Sequence, residues 1–282
     1  MSKNLRAVVV SLMCLSLIGC GKGQDKANSI QIKGSDTMVN LVQAWSEAFM
    51  QANPGSYVAV TGGGSGTGIA ALLNKTCNIA MCSRKMKGKE IELARKKGIE
   101  PKEITVALDG LAVVVHPSNP IEQLTIPQLS DIFTGKITDW KEVGGKEGNI
   151  VIISREVNSG THVYFKEHVL SQREYSKEAL LVPSSQAVAD EIAQNPKAIG
   201  YYGMGYISPK QKAIKVAKDE NSPFVLPIVD NVTNGSYHIS RPLLMYTNGE
   251  PTGLVKKFLD FILSQKGQEI VLKIDFVPVA AK

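Results

Sequence analysis

Apolar positions change period along the chain in a repeating order. "SIQIKG" (29–34) alternates and stops at Gly34, as a short strand does. "SDTMVNLVQAWSEAFMQANPG" follows with Met38, Leu41, Val42, Trp45, Ala48 and Phe49 at helical spacing, ending at Asn53-Pro54-Gly55. "SYVAVTGGG" predicts a second strand and "SGTGIAALLNK" a second helix; "CNIAMCS" predicts a third strand and "GKEIELARKKG" a charged amphipathic helix. "ITVALDGLAVVVHP" reads as a long extended run broken at Asp109-Gly110. Alternating strand and helix favours a largely parallel sheet with helices on its faces.

A second set of elements follows. "TIPQLSDIFTGKITDW" predicts a helix and turn, "NIVIISRE" a strand, "SGTHVYFKEHVL" and "SQAVADEIAQNP" helices, and "AIGYYGMGYI" a glycine-punctuated strand. The chain closes with "RPLLMYT", one long helix over "GLVKKFLDFILSQKGQEIVLKI", and "FVPV". Leu254, Phe258, Phe261 and Ile262 share a face of that helix, which is expected to cap the first lobe. The expectation is an α/β protein of two lobes, joined by extended segments near 110–115 and 225–242.

The N-terminus carries a different pattern. Lys3 and Arg6 precede an apolar run from Ala7 to Ile18, then Gly19-Cys20 and the polar stretch "GKGQDKANS". The run is too short to span a bilayer and fits a signal peptide h-region. "LIGC" resembles a bacterial lipobox, which makes Cys20 the expected lipidated first residue. The expected divisions are a signal peptide over 1–19, a lipidated tether over 20–29, a first lobe from 30–112 completed by 229–282, and a second lobe over 113–228. Cys77 and Cys82 remain; a strand between them holds their Cα atoms too far apart for a disulfide, so both are expected as small buried hydrophobes.

Composition narrows the function. Hydrophobic residues make up 43% of 282, and the formal net charge is +6, or +4 without Lys3 and Arg6. The scattered lysines suit an anionic ligand but not a nucleic-acid surface. His116, His162, His168 and His238 pair with nothing at a metal-ligand spacing, and no cofactor motif is present. "TGGGSGTG" (61–68) lacks the lysine of a nucleotide-binding P-loop, and Thr67 stands where a serine-hydrolase elbow needs glycine. These positions point to a binder rather than an enzyme.

The chemistry recurs at three strand-to-helix turns: Gly34-Ser35-Asp36-Thr37, Gly64-Ser65-Gly66-Thr67 and Asn158-Ser159-Gly160-Thr161. Each offers a hydroxyl, small neighbours and the unsatisfied N–H groups of a helix start, which carries about half a positive charge. One such turn alone reads as ordinary N-capping. Three together, with Arg155 four residues before Ser159, read as a site for a small oxyanion, and crossover order places such turns on the ligand edge of each sheet.

These residues carry a resemblance. "GSDTM", "GGGSGTG", "MCSRKMK", "ALDGLAVVVHPSNP", "LSDIFTGKITDWKEVGG", "ISREVNSGTHVYF", "AIGYYGMGY" and "YTNGEPTGLVKKFLDFILSQKGQEIV" together resemble the phosphate-binding lipoproteins of bacterial high-affinity phosphate ABC importers, over essentially the whole mature chain. The resemblance implies a two-lobed periplasmic-binding-protein fold, type II-like, with phosphate in the cleft between lobes. It implies a monomer, lipid-anchored outside the cytoplasmic membrane, that delivers phosphate to the importer's membrane permease subunits. Carried over by position, the phosphate ligands are Thr37, the N–H of Met38, Ser65, Ser83, Arg155, Ser159, Gly160 and Thr161, with Ser35 and Thr67 adjacent. Some family members place an aspartate, which accepts the phosphate proton, where this chain has Ser83. Asp109 at the lobe junction is then a candidate acceptor, or a hinge-turn residue, or a partner that orients Arg84 or Arg155. Other oxyanions (sulfate, molybdate, tungstate) and a phosphate-sensing surface lipoprotein are the alternative readings.

Overall fold

The computed structural model describes residues 28–280. Cys20, the expected signal segment and positions 20–27 of the expected tether lie outside that range; Asn28 and Ser29, also expected in the tether, are described, and Ser29 already belongs to the first strand. Among the described residues, no helix is long and apolar enough to cross a membrane.

The first half is built as the periodicity predicts. β1 (Ser29–Gly34) pairs in parallel with β2 (Tyr57–Thr61) and β3 (Ile79–Cys82). The helices α1 (Val39–Ala52), α2 (Ser65–Leu73) and α3 (Gly88–Lys96) each follow one of these strands, and α1 and α2 connect them as crossovers between parallel strands. α1 buries Leu41, Val42, Trp45 and Phe49 along one stripe.

The expected break at Asp109-Gly110 is absent. β4 (Pro101–Val115) is one strand of 15 residues, and it changes partner at that point. Up to Gly110 it pairs antiparallel with β11 (Ser240–Asn248); from Leu111 it pairs antiparallel with β8 (Ala198–Gly203). The nearly unbroken apolar run "LAVVV" is buried on both faces, which the sequence pattern shares with any fully covered strand.

The second half carries β6 (Val151–Arg155) parallel to both β8 and β7 (Leu180–Val182), giving the order β2-β1-β3-β11-β4-β8-β6-β7. The short β5 (Gln123–Thr125) pairs with β10 (Lys215–Ala217), and β9 (Lys212–Ala213) pairs with β4; the sequence reading contained none of these short strands. Helices α4 (Ile126–Phe133), α5 (Gly160–His168), α6 (Ser185–Gln194) and the short α7 (Val229–Thr233) complete this half. Its core is aromatic: Phe165 stacks on Tyr201 at 3.9 Å, and Phe133 meets both edge-on.

The long final helix is two helices. α8 (Gly253–Leu263) ends at Ser264, whose extended backbone and hydroxyl cap the start of α9 (Gln265–Lys273). The bend lets both pack on α1. Phe258 meets Phe49 edge-on at 5.3 Å, and the Trp45 indole N–H donates to the Gly267 carbonyl at 2.8 Å. The expected cap over the first lobe is therefore present, bent rather than straight.

Candidate functional site

Strand ends and helix starts meet in the middle of the molecule. β1, β3 and β6 end at Gly34, Cys82 and Arg155, and the residues just beyond them are buried although polar. Ser35, Thr37, Ser65, Ser83, Arg155, Ser159 and Thr161 are each at most 2% exposed. Polar groups buried this deeply are expected to be hydrogen-bonded, and here they bond to one another across the two halves.

The hydroxyls form two groups. In one, Ser35 Oγ donates to Ser83 Oγ at 2.9 Å, Ser83 N–H donates to Ser65 Oγ at 3.0 Å, and Ser65 and Ser83 hydroxyls stand 3.4 Å apart. In the other, Thr37 of the first half and Thr161 of the second hold their hydroxyl oxygens 2.8 Å apart. The start of α5 presses onto the start of α2. A Cβ on Gly160 would lie 2.2 Å from Ser65 Oγ and 2.7 Å from Ser83 Oγ, so only glycine permits this approach. Beside it the Gly66 N–H donates to Asn158 O at 3.0 Å, and Asn158 Nδ2 donates to Gly63 O at 2.9 Å. Two helix N-termini, each with a partial positive charge, thus converge on one small buried volume.

Two guanidinium groups flank it, one from each half. Arg155 Nη2 donates to Asp36 Oδ2 at 2.8 Å and to Pro183 O, and Nη1 donates to Ser185 Oγ. Arg241, directly opposite Asp109 in the β4–β11 register, donates from Nε and Nη2 to Asp109 Oδ2 at 3.0 and 2.8 Å. Its Nη2 also donates to Thr161 Oγ1 at 3.0 Å and reaches Thr37 Oγ1 at 3.5 Å. Both pairs are strongly desolvated. Burial pulls Arg155 below its ordinary value against the opposing charge of Asp36, and burial pushes Asp109 above its ordinary value against the opposing charge of Arg241. Each cation has its own carboxylate, so the formal charges cancel in pairs. What the cluster presents is hydroxyl and N–H dipoles; in the two flanking guanidinium groups, Arg155 Nε and Arg241 Nη1 are buried and have no hydrogen-bond partner among the described residues. Orphaned buried donors of this kind are costly unless an acceptor meets them.

Most residues named from the sequence come together here, and some roles differ. Ser159 is the N-cap of α5: its Oγ accepts from the N–H groups of Thr161 and His162. Met38 is fully buried, and its N–H donates to Ser35 O within the turn. Thr67 does not join the cluster; it is exposed, and its hydroxyl donates to Gly63 O at 2.5 Å in the first turn of α2. Asp109 orients neither Arg84 nor Arg155. Arg84 turns away to a bidentate pair with Glu90 at 2.8 Å, and Arg155 takes Asp36. The partner of Asp109 is Arg241, and its other oxygen accepts from Met204 N–H at 3.0 Å, so both oxygens are engaged.

Four residues of the site were not singled out from the sequence. Asp36 accepts from Arg155 and, through Oδ1, from Gly63 N–H at 3.1 Å. Tyr206 reaches across to donate to Asp36 O at 2.7 Å. Asn158 and Arg241 complete the set. Asp36 and Asn158 stood inside motifs already noted, one residue from a hydroxyl; Arg241 lies 132 residues from Asp109, and only strand pairing brings them together.

The family model for the PBP superfamily domain matches residues 21–266. The chain is 36% identical over 263 residues to the phosphate-binding protein PstS of Bacillus subtilis, covering 92% of this chain and 83% of that protein. It is 32% identical over 278 residues to the protein of the same name from Pseudomonas aeruginosa, covering 93% and 86%. Among solved structures it is similar to a phosphate ABC transporter substrate-binding protein with bound phosphate from Clostridium perfringens, at a TM-score of 0.82 and 36% identity over 89% of this chain and all of that one. An ABC-type phosphate transport receptor from Vibrio cholerae matches at a TM-score of 0.71 and 30% identity, with the same 89% coverage of this chain.

Proposed function

Because this chain belongs to the PBP superfamily, we propose that it captures inorganic phosphate between its two lobes and delivers it to an ABC importer. It is a solute-binding protein and not an enzyme. The observation that carries the ligand is the convergence of two helix N-termini on five buried hydroxyls, with the flanking charges already cancelled by Asp36 and Asp109. An anion entering such a site exchanges its water shell for fixed dipoles that cost nothing to reorganise. Ser35, Thr37, the Met38 turn, Ser65, Ser83, Arg155, Gly160 and Thr161 are the groups we assign to phosphate. Ser159 serves as the cap that aims α5.

The divisions read from the sequence complete the proposal: lobe one from 30–112 and 229–282, lobe two from 113–228, and a lipid on Cys20 that holds a monomer at the outer face of the cytoplasmic membrane. Titration calorimetry with phosphate, sulfate and molybdate tests the ligand. Tight phosphate binding with at least about tenfold weaker sulfate and molybdate is the expected result; equal or tighter binding of another oxyanion overturns it. Cys20→Ser should move the protein from the membrane to the soluble fraction, and an unchanged membrane fraction would remove the anchor.

A further inference from the structure

Hydroxyl protons and lone pairs can be counted on each side of the site, and the two sides differ. Each hydroxyl has one proton and two lone pairs, while a guanidinium only donates. At the threonine end, Thr37 and Thr161 share one hydrogen bond, and Arg241 Nη2 donates to Thr161 at 3.0 Å and reaches Thr37 at 3.5 Å. Three of the four lone pairs are then used, and one proton and one lone pair remain. At the serine end, three bonds use three of six lone pairs: Ser35 to Ser83, Ser83 N–H to Ser65, and the contact between Ser65 and Ser83. Three lone pairs and one proton remain there. Each end keeps one proton, but the threonine end keeps one lone pair and the serine end three, so acceptor capacity is concentrated at the serine end whichever way the ambiguous protons point.

We propose that Arg241 is the positioning residue that sets this polarity. Held by Asp109, it donates into the Thr37–Thr161 pair and fills lone pairs there, so that the pair's one free hydroxyl proton faces an ionised oxygen of the anion and a protonated oxygen faces Ser35, Ser65 and Ser83. The inference rests on the reading of the site as an anion site. It locates the acceptor of a phosphate proton in the serine hydroxyls, which keep three lone pairs, while the Asp109 oxygens are turned to Arg241 and Met204 N–H and those of Asp36 to Arg155 and Gly63 N–H.

A double-mutant cycle tests it, with calorimetry on whichever of phosphate, sulfate or molybdate the wild type binds. Arg241→Gln should weaken binding by about 30-fold or more, Arg241→Lys should recover at least about fivefold of that, and in a Thr161→Val background the Arg241→Gln loss should shrink at least about threefold, since the guanidinium acts through that hydroxyl. Melting curves without ligand establish that each variant is folded, and Arg241→Lys keeps the cycle readable if Arg241→Gln is not. Ser83→Ala should lower the preference for phosphate over sulfate, while Arg241→Gln should weaken both alike. Additive losses for Arg241 and Thr161, no rescue by lysine, or an unchanged phosphate preference in Ser83→Ala would each overturn the assignment. Binding of sulfate or molybdate in place of phosphate would overturn the phosphate reading while leaving the cycle itself decisive, and wild-type protein that binds none of the three would overturn both.

Discussion

Gly160 stands so close to Ser65 across the cleft that a single methyl group would lie 2.2 Å from the serine oxygen. Gly160→Ala should therefore oppose closure, with a penalty of about 1–3 kcal/mol typical of overpacking. Because the contact joins two lobes, the cost should appear in ligand affinity more than in the melting temperature of the ligand-free protein. Calorimetry beside thermal melts checks this, and equal affinity in the variant would place the two helix starts further apart in the bound state.

Arg155 carries a charge that is 1% exposed and shared with Asp36. Arg155→Ala removes a desolvated charge-assisted contact and leaves Asp36 without its cation. Phosphate affinity should fall by about 2–5 kcal/mol, the usual range for truncating one member of a buried charge pair. Unchanged affinity would remove Arg155 from the site.

Asn158 and Thr67 should behave differently although 3.5 Å separates their polar atoms. Asn158→Ala deletes the cross-cleft bond to Gly63 O and should weaken the closed state by about 0.5–1.5 kcal/mol. Thr67→Ala removes an exposed hydroxyl whose short bond stays within its own turn and whose contact to Asn158 is long, and should change affinity by less than about 0.5 kcal/mol. Small-angle scattering with and without phosphate gives the companion readout. The wild type should contract on binding, and Asn158→Ala should need more phosphate to do so.

His162 stacks on Tyr175 at 4.4 Å beneath the start of α5, and burial holds its ring below the ordinary imidazole value. The sign follows from linkage. The unfolded chain takes up the proton first as pH falls through about 6.5, so stability is kept above that pH and lost below it, down through the folded value. His162→Gln should flatten the acid side of the melting-temperature profile below about pH 6.5. A profile identical to wild type would mean that His162 titrates alike in both states.

The alternation of strand and helix was legible because each element buries one face and so repeats at its own period. The three hydroxyl turns were legible for the same local reason: strand end, small residues and helix start are contiguous in sequence. The short strands β5, β7, β9 and β10 were not, since two or three residues carry no period. The kink at Ser264 was not, because the apolar stripe of α8 runs on into α9. The Asp109–Arg241 pair is a matter of register between distant strands, and no local pattern encodes it. Thr67, named only as adjacent to the ligands, stands apart from the buried hydroxyls for the opposite reason. Its neighbours are glycines and its type is right, but its place on the helix turns it outward to solvent.

β4 passes from one lobe to the other as a single strand, changing partner between Gly110 and Leu111 without leaving the extended conformation. In mechanical terms it is a torsion rod rather than a string. Twist applied at one end is passed along the strand to the other, past the one irregularity in its pairing with β11, at Val106. A side chain at Gly110 would press on Val232 Cγ2 at 2.8 Å and so stiffen or pre-twist the rod without touching the anion. Substitutions there should alter how fast the cleft opens and shuts, a property of the spring, while the grip on the cargo is decided elsewhere.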